Sequence, residues 1–360
     1  MTPLKVIVGM SGGVDSSVTA YLLKERGYEV EGVSFILYEA RLRRSPSYRH
    51  ALCCSIEAIK EAALTASQLG ISHTIVDLRE EFIERVINPF IEAYAKGLTP
   101  NPCILCNKYI KFPHLMRIAD ERGAYFIATG HYARIRDSML LKGIDEKKDQ
   151  SYVLYVLGTD ILKRLLLPLG DKKKSEVREI ARTLGLAATR RPESQEICFI
   201  EEKRYGDFIA NFIKPEEGPV IELKTGRILK THRGIIYYTV GQRRGLGISS
   251  KEPLYVIKID PNKKALYVGT KEEAYRRELI VDDLNIIQPS YIDKSLFRAT
   301  VKIRSTMKDE PATIYAEGNT HRRYRIVFDR PQWAPAPGQS AVFYEAETVI
   351  GGGTIKEITG

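Results

Sequence analysis

A short segment rich in glycine and serine near the start of the chain has the residue types of a phosphate-binding loop. Residues 9–17 read GMSGGVDSS and directly follow the apolar run Val6–Val8. A strand that leads through small residues into a helix leaves several backbone N–H groups unpaired at one spot, where the helix dipole favours an anion. Gly12 and Gly13 allow close approach of the backbone, and the serine hydroxyls add donors. The segment therefore predicts a site for the phosphates of a nucleotide.

The kind of nucleotide chemistry follows from what this loop lacks. The Walker A pattern, with its lysine, is absent. The remaining SGGxDS pattern resembles the loop of the PP-loop ATP pyrophosphatases, which split ATP between the α and β phosphates. That resemblance implies an ATP site built from Gly9, Met10, Ser11, Gly12, Gly13, Val14, Asp15 and Ser16. Asp15 stands where a carboxylate would cap the helix or hold Mg²⁺.

The elements around the loop predict a doubly wound α/β domain with a parallel sheet. Apolar runs alternate with helical patterns, the runs at residues 6–10, 30–37, 74–77 and 124–129 and the helices at about 15–26 and 56–69. Ligands of such sheets gather at the carboxyl ends of the strands, which is where the loop lies. We expect this catalytic domain to span residues 1–205.

The pattern changes after residue 205, where β segments bounded by glycine predict a small, mainly β domain at 206–275. We expect its strands at residues 220–223, 235–240 and 254–259. The tail, 276–360, alternates apolar and polar residues at 298–304 and has similar segments at 312–316, 324–328, 340–344 and 349–358. These short strands predict a C-terminal antiparallel β-barrel.

Composition restricts the class of protein. The chain has 360 residues, 44% of them hydrophobic, and no run of 18 apolar residues, so we expect a cytoplasmic protein with no membrane partner. Lysine and arginine exceed aspartate and glutamate by 55 − 45 = 10, which suits a polyanionic partner. Five cysteines without a recognisable export signal argue against a disulfide framework and favour catalysis or metal binding.

Three cysteines lie in segments that suit sulfur chemistry or metal binding. Cys103 and Cys106 form a CxxC pair within the proline-bounded segment TPNPCILCNK, and Cys198 lies in ESQEICF. A thiol with a pKa of about 8.5 is slightly ionised at neutral pH yet strongly nucleophilic. Cys53 and Cys54 precede a helical pattern and are interpreted as core residues or the start of a helix, with a redox or fourth-ligand role left open for Cys54.

These segments, taken with further motifs, resemble the tRNA-specific 2-thiouridylase (MnmA/TrmU) family along essentially the whole chain. The motifs in order are SGGVDSS, TPNPxxxCNxxIKF, ATGHY at 128–132, KDQSY at 148–152, ESQEICF, TVGQRRGL at 239–246 and PGQ at 337–339. The resemblance implies that sulfur replaces the C2 oxygen of the wobble uridine, position 34, of tRNA. Because an amide-like oxygen is a poor leaving group, ATP must first adenylylate it, with Mg²⁺ assisting the release of pyrophosphate.

The resemblance also implies roles for the cysteines. Cys198 receives sulfur as a persulfide from an upstream donor protein, and Cys106 is the nucleophile that either forms a disulfide with Cys198 and frees sulfide or carries the attack. Many relatives have aspartate where this chain has Cys103, so the acid–base assignment at that position stays open. Cys103, Cys106 and Cys198 together would suit a 4Fe-4S cluster with one open iron. Thiol spacing leaves the persulfide route, the cluster route and a structural zinc site open.

Further contacts follow from the resemblance alone. Phe35 and Gly130 are expected at ATP. The expected tRNA contacts are Asn101, Pro102, Cys103, His131, Lys148, Asp149, Gln150, Arg243, Arg244, Arg304, Ser305 and Gln339. Relatives have a basic or aromatic residue where Ser305 stands. RNA recognition is expected to read an unstacked anticodon base, with no DNA partner.

For several of these residues the sequence also allows a purely structural role. His131 also suits a buried structural histidine, and Lys148–Gln150 suits a solvated loop. Lys172–Lys174 is interpreted as the basic start of a helix, and the basic stretch Arg41–His50 as a loop that contacts tRNA or only solvent. Two other classes of function remain open, namely an amide-forming PP-loop synthetase and a non-catalytic tRNA-binding module.

Overall fold

The computed structural model describes residues 3–38, 56–190, 197–200, 205–318 and 323–359. The basic stretch 41–50, Cys53, Cys54 and residues 193–196 of the ESQEICF motif lie outside these ranges. Contacts divide the chain into two compact units. The first comprises Met1–Val86, Cys103–Phe199 and Glu347–Val349, and the second Ile87–Pro102, Ile200–Ala346 and Ile350–Gly360.

A parallel sheet forms the centre of the first unit, as the apolar runs predict. The strands in chain order are β1 (Lys5–Gly9), β2 (Glu29–Ile36), β3 (Ser72–Asp77), β4 (Phe126–Ala128), β5 (Ala133–Arg136), β6 (Met139–Lys142) and β7 (Leu165–Leu166). Five of them pair in the order β3-β2-β1-β4-β7, all in parallel. β5 and β6 form an antiparallel hairpin. The doubly wound parallel sheet is therefore confirmed.

The strand order places a switch point between β1 and β4. The chain runs from β1 outward to β2 and β3, and then returns to the other side of β1 as β4. Val6, Ile7 and Val8 of β1 are fully buried, because the central strand of a parallel sheet is covered on both faces. In such sheets the crevice at the carboxyl ends of the strands beside the switch point is where ligands bind.

Helices join these strands. The α-helices in chain order are α1 (Val14–Glu25), α2 (Ile56–Leu69), α3 (Arg79–Phe82), α4 (Asn88–Ala95), α5 (Pro102–Leu105), α6 (Phe112–Glu121), α7 (Ser151–Leu154), α8 (Thr159–Arg164), α9 (Lys174–Thr183) and α10 (Tyr205–Ala210). Two π-helical segments, Ile83–Ile87 and Cys106–Lys111, lie between α3 and α4 and between α5 and α6. Short 3-10 turns lie at Ala187–Arg190, Ile235–Tyr237, Glu272–Ala274 and Pro289–Tyr291. No helix of the described residues is long and apolar enough to cross a membrane.

The second unit contains two β structures. Its strands are β8 (Gly218–Glu222), β9 (Ile228–His232), β10 (Tyr255–Asp260), β11 (Ala265–Gly269), β12 (Tyr275–Ile286), β13 (Leu296–Lys302), β14 (Glu310–Ala316), β15 (Tyr324–Trp333), β16 (Ser340–Glu345) and β17 (Thr348–Thr359). The first four form a small sheet in the order β10-β11-β8-β9. The other six form a closed antiparallel barrel in the order β12-β15-β14-β13-β16-β17, in which β12 also pairs with β17. The predicted C-terminal barrel is thereby confirmed.

One predicted strand is wrong. Residues 235–240 form a 3-10 turn at Ile235–Tyr237 instead of a strand, because Gly234 adopts a φ of 138° and the Tyr238 N–H closes the turn on the Ile235 carbonyl. The segment nevertheless buries Ile236, Tyr238 and Val240. The apolar run therefore indicates that these residues are buried, but not that they form a strand.

Candidate active site

The loop after β1 leaves a row of backbone N–H groups that face no acceptor among the residues that the structure describes. The N–H of Ser17 donates to the Gly13 carbonyl at 3.2 Å as α1 begins. For residues 12–16, no hydrogen bond from the backbone N–H groups to the described part of the protein is present. These groups lie at the positive end of α1 and at the switch point of the sheet, so the loop offers a cradle for an anion.

The two glycines of the loop differ in what they accommodate. Gly12 has a φ of 71°, and a β-carbon there would lie 2.0 Å from the Ala58 carbonyl oxygen. A β-carbon on Gly13 would meet nothing closer than the Ser11 hydroxyl at 3.7 Å. Gly12 is therefore required by the protein backbone itself, whereas Gly13 leaves open the space in front of the cradle, as close approach of a phosphate would need.

The serine hydroxyls fold the loop. Those of Ser16 and Ser17 donate to the Gly13 carbonyl at 3.1 Å and 3.0 Å, and Ser16 Oγ also accepts the Ser11 N–H at 3.2 Å. Ser17 is fully buried. Ser16 and Ser17 therefore shape the backbone cradle, and of the three serines Ser11 is the exposed one.

Asp15, the acidic residue of the loop, forms an ion pair. Lys174 Nζ lies 2.7 Å and 2.8 Å from its two carboxylate oxygens, and the Tyr132 hydroxyl donates to Asp15 Oδ1 at 2.7 Å. Lys174 is only 7% exposed. Both oxygens of Asp15 are engaged by an ammonium group, so this donor set does not fit a direct ligand to Mg²⁺.

Lys174 is a residue that the sequence analysis misses. The interpretation of Lys172–Lys174 as a basic helix start is right about the helix, since α9 begins at Lys174. One signal against a purely solvated role was available in the sequence: a cation in the first turn opposes the helix dipole. The backbone N–H of Lys174 donates to Asp145 Oδ2 at 2.9 Å, which fixes the start of α9.

The segment after β4 lies against the start of α1. A β-carbon on Gly130 would lie 2.8 Å from the Asp15 carbonyl carbon and 2.9 Å from the Ser16 nitrogen. These are backbone atoms that cannot rotate away, so only glycine fits between β4 and the loop. The structure thus brings Gly130 against the loop that follows β1.

His131 lies in a partly apolar corner beside that glycine. Its Nδ1 is 2.7 Å from the Thr129 hydroxyl, and its ring stacks on Phe112 at a centroid distance of 5.8 Å. Burial, with a smaller contribution from the Lys111 charge, holds the pKa of His131 well below its usual value. The imidazole is therefore neutral at physiological pH and offers one N–H donor and one acceptor.

The helical segment with two cysteines leads directly into this corner. Cys106 is the first residue of the π-helical segment, and Phe112, at the end of that segment, begins α6 and stacks on His131. Cys106 is 8% exposed, whereas Cys103, one turn earlier in α5, is exposed. π-helical turns within helices are frequently found at functional sites. Cys106 is therefore buried within a helical segment, and Cys103 faces solvent.

Cys198 lies in a short described segment anchored by its neighbour. Phe199 is buried, with its ring 5.8 Å from that of Phe82 and 6.3 Å from that of Tyr38, which follows β2. Cys198 itself is partly exposed, and the three described cysteines form no disulfide. The sequence between the two cysteine motifs is long. The carboxyl ends of β2 and β4, which flank β1 in the parallel sheet, lie at the same edge of that sheet.

The three cysteines do not fit a cluster ligand set in this arrangement. Within the ranges that the structure covers, no three side chains of His, Cys, Asp or Glu are grouped so as to hold a metal ion. This includes Cys103, Cys106 and Cys198. The donor set expected for an iron–sulfur cluster or a zinc ion is therefore not assembled.

Phe35 lies near the end of β2, where an adenine contact is expected. It is partly buried, and its ring is 6.2 Å from that of His114 in α6. His114 Nε2 in turn lies 2.7 Å from Glu81 Oε2. The position at the carboxyl end of a strand next to β1 agrees with a nucleotide contact, and the side chain itself packs within the protein.

Two of the expected tRNA contacts near residue 150 have structural bonds. Asp149 accepts hydrogen bonds from the backbone of Gly143 and from the backbone and hydroxyl of Ser151. Gln150 exchanges hydrogen bonds with the backbone of Tyr132, its Oε1 accepting the Tyr132 N–H at 2.9 Å. These two side chains hold the loop, and Lys148 is its partly exposed basic residue.

The expected tRNA residues of the second unit divide in the same way. Arg243 and Arg244 are exposed on a loop that Gln242 holds together, since its amide bonds to Thr239 N–H and to the Arg244 carbonyl. Arg304 Nη2 instead donates to the Val240 and Ala334 carbonyls at 2.9 Å and 2.7 Å. Ser305, next to it, is exposed.

Gln339 also has a structural partner. Its amide donates to the Thr99 carbonyl at 2.8 Å, and the Thr99 N–H donates to the Pro337 carbonyl at 2.8 Å. This pair of bonds fixes the start of the TPNP segment, in which Asn101 is partly exposed and Pro102 is buried.

Three family models match consecutive parts of the chain. A "tRNA methyl transferase HUP domain" matches residues 4–202, a "tRNA methyl transferase PRC-barrel domain" matches 206–270, and an "aminomethyltransferase beta-barrel domain" matches 276–355. Together they account for most of the sequence.

Named relatives are similar over nearly their full length. The chain is 46% identical over 361 residues to "tRNA-specific 2-thiouridylase MnmA 1" of Caldanaerobacter subterraneus subsp. tengcongensis, and 98% of each chain is covered. It is 43% identical over 361 residues to "tRNA-specific 2-thiouridylase MnmA" of Clostridioides difficile, again with 98% of each chain covered. A solved 4-thiouridine synthetase in complex with RNA and ATP is 20% identical, with a TM-score of 0.36, over 54% of this chain and 44% of that one.

Proposed function

The chain belongs to the MnmA family of tRNA-specific 2-thiouridylases, and from this premise we propose how its residues carry out the reaction. The enzyme forms 2-thiouridine in tRNA at the expense of ATP, through a PP-loop ATP site. We infer that its target is the C2 oxygen of the uridine at position 34. The observation that carries the proposal is the row of N–H groups at residues 12–16, at the switch point of the sheet.

The first step activates the uridine. The C2 oxygen attacks the α phosphorus of ATP, the bond from that phosphorus to the bridging oxygen breaks, and pyrophosphate leaves. Charge accumulates on the departing pyrophosphate, and donors fixed in advance stabilise such charge without reorganisation. The N–H row of the loop and the positive end of α1 supply those donors. Gly13, with open space in front of it, lets the phosphates come close.

Mg²⁺ is expected with the nucleotide and not on Asp15. Magnesium commonly binds the phosphates of its substrate while keeping several waters. The pairing of Asp15 with Lys174 favours this arrangement.

The second step exchanges oxygen for sulfur. An upstream donor protein transfers sulfur to Cys198 as a persulfide. The thiolate of Cys106 attacks Cys198 Sγ, the two cysteines form a disulfide, and the terminal sulfur leaves as sulfide. Sulfide adds to C2 and expels AMP with the original oxygen. An external thiol then reduces the disulfide, which returns both cysteines to their starting state.

The surroundings of Cys106 support its role as the nucleophile. It lies in a helical segment whose end packs on His131, and neutral His131, whose Nδ1 bonds to the Thr129 hydroxyl, has Nε2 for a hydrogen bond to a base at that corner. Cys103 is exposed and one turn away. We therefore propose the persulfide route without a cluster, because Cys103, Cys106 and Cys198 are not grouped as ligands.

The basic loops support contacts with the polyanionic substrate. Lys148, Arg243 and Arg244 are at least partly exposed, and arginine binds phosphate bidentately. We propose these three as direct tRNA contacts, and Asp149, Gln150, Arg304 and Gln339 as residues that hold the contacting loops. We also propose a cytoplasmic enzyme with three domains, and the limits of the family models support domain boundaries near residues 205 and 275.

A reconstituted assay tests the proposal. Wild-type protein whose Cys198 has been loaded as a persulfide, mixed with ATP, Mg²⁺ and unmodified tRNA in the absence of free sulfide, should produce AMP and 2-thiouridine in equal amounts in a single turnover. Cys106→Ser should lower thiouridine formation by at least about 100-fold, whereas Cys103→Ser, the matched exposed cysteine, should stay within about threefold of wild type.

The same assay separates the alternatives. An amide-forming PP-loop synthetase would keep its ATP-dependent product in Cys106→Ser, and a non-catalytic tRNA-binding module would give no AMP in wild type. A loss in Cys103→Ser as large as that in Cys106→Ser would overturn the route without a cluster.

A further inference from the structure

A buried lysine from a distant part of the chain reaches the phosphate loop. Lys174 begins α9, 159 residues after Asp15, and its ammonium group contacts both oxygens of that carboxylate. The loop itself has no lysine, and these two contacts hold the ammonium group beside it. The lysine side chain also passes over the Tyr132 ring, with Nζ 5.7 Å from the ring centroid.

The helix start is an unfavourable place for this cation. The first turn of a helix carries partial positive charge, so Lys174 is repelled by its own helix. Burial adds a further penalty, since lysine is rarely buried unless paired. Asp15 and the Tyr132 ring offset these costs, and the Asp145 carboxylate, which accepts the Lys174 N–H, offsets the charge of the helix end.

The local charge favours an incoming polyanion. Asp15 and Lys174 cancel formally, while the unpaired N–H groups at the start of α1 leave the loop positive. A triphosphate that enters this cradle competes with the Asp15 carboxylate for the same ammonium group. Arginine and lysine that contact phosphate do so most strongly where water is excluded, as at this buried position.

We propose that Lys174 is the phosphate-binding cation of the ATP site, and that Asp15 is the positioning residue that holds its ammonium group at the loop. Lys174 thereby takes the part that the loop's own lysine plays in the Walker A pattern. This inference rests on the proposed ATP site at residues 12–16. We expect Lys174 to contact the β and γ phosphates and not the nucleoside.

Nucleotide binding to the full-length protein tests the proposal. Calorimetric titration with ATP and with adenosine should give a Kd for ATP that rises about 10- to 100-fold in Lys174→Gln, as loss of one charged hydrogen bond predicts. The Kd for adenosine should change by less than threefold. Lys174→Arg should retain ATP binding within about fivefold of wild type, since it keeps the charge.

Two further variants make the result specific. Lys173→Gln removes an exposed neighbouring charge and should bind ATP as wild type does. In the double variant Asp15→Asn/Lys174→Gln both charges are removed, and we expect ATP binding to stay as weak as in Lys174→Gln. Thermal melting of each variant checks that it folds, and if Lys174→Gln does not fold, the retained binding in Lys174→Arg and its loss in Lys174→Met decide the question.

Each contrary outcome has a definite meaning. Equal weakening of ATP and adenosine in Lys174→Gln would make the lysine purely structural and overturn the proposal. Recovery of ATP binding in the double variant would mean that Lys174 only neutralises Asp15, which also overturns it. Absence of ATP binding in wild type would instead contradict the proposed ATP site itself.

Discussion

Two ion pairs, each with one buried partner, lie at opposite ends of the same parallel sheet. At the amino end, Glu31 of β2 is 4% exposed and pairs with Lys5 at 3.1 Å and with Arg122 at 3.3 Å. At the carboxyl end, Asp15 pairs with Lys174 beside the phosphate loop. Both groups satisfy the rule that a buried charge needs a partner.

The partners of the two carboxylates differ. Glu31 joins side chains of β1, β3 and the end of α6, since Thr74 also donates to it at 3.3 Å, and no N–H cradle adjoins it in the described residues. Asp15 adjoins the row of N–H groups at a switch point. We infer that an ion pair with a buried partner takes part in ligand binding where it adjoins the ligand crevice, whereas the same chemistry at the other end of the sheet stabilises the fold.

We expect the largest effect at the carboxyl end of the sheet, when Gly130, which contacts the backbone at the start of α1, is replaced. In Gly130→Ala the new β-carbon would lie 2.8 Å from the Asp15 carbonyl carbon, so the start of α1 must shift and the N–H row loses its geometry. We expect ATP-dependent AMP formation to fall at least about 100-fold, because misplaced donors no longer stabilise the transition state. Steady-state assays of AMP release measure this loss.

A second glycine provides the matched control. Gly158, which precedes α8, has an ordinary φ of −72°, and a β-carbon added there would meet nothing within 4 Å. Gly158→Ala should leave AMP formation within about twofold of wild type, since no neighbouring atom has to move. Equal losses in the two variants would mean that the comparison between the ends of the sheet has no basis in the loop geometry.

At the amino end of the sheet, we expect a substitution to lower the free energy of unfolding and to leave AMP formation unchanged. Glu31→Gln keeps the shape of the side chain but removes the charge that Lys5 and Arg122 contact. We expect a loss of about 1–3 kcal/mol in the free energy of unfolding, the range for a hydrogen-bonded charge. Urea unfolding measures it. A large drop in AMP formation at full stability would contradict the division of roles.

The smallest effect concerns the pH dependence of stability. The pKa of His131 is lower in the folded protein than in the unfolded chain. Below about pH 6.5 the unfolded chain therefore binds a proton at His131 that the folded protein does not bind. As a result, His131 lowers the stability of the protein as the pH falls through that value. In His131→Asn this contribution is lost. Unfolding curves should show that wild type loses about 1 kcal/mol more than His131→Asn between about pH 7.5 and about pH 5.5.

The other histidines with depressed pKa values, His73 and His232, are present in both proteins and cancel in this difference. Identical pH dependence in wild type and His131→Asn would mean that His131 is not buried as a neutral group. It would also remove the support that the neutral imidazole gives to the chemistry at Cys106.

The strand pattern and the loop were accessible from the sequence because their signals are local. Val6–Val8 followed by GMSGGVDSS predicts strand, turn and helix from periodicity and small residues alone. Phe126–Ala128 and five of the six barrel strands follow from apolar runs in the same way, whereas the strand Tyr275–Ile286 was not among the predicted segments. The strand predicted at residues 235–240 is wrong, since a buried irregular segment has the same apolar run as a strand.

The side-chain partners of the site were not accessible, because they depend on long-range contacts. Lys174 meets Asp15 across 159 residues, and a run of three lysines gives no sign of which one is buried. Asp149 and Gln150 have the composition of a solvated loop, yet both bond to the backbone around Tyr132 and Gly143. A motif identifies such residues but not whether they contact a ligand or hold the loop that does.

The fate of one oxygen atom tests the central claim most directly. A tRNA whose uridine at position 34 carries ¹⁸O at C2 can be converted by the wild-type enzyme with ATP and sulfide, and the released AMP can be analysed by mass spectrometry. Adenylylation of that oxygen predicts AMP that is heavier by the ¹⁸O label, in an amount equal to the 2-thiouridine formed. Unlabelled AMP alongside 2-thiouridine would contradict the account, because the loop would then have activated some group other than the uridine oxygen.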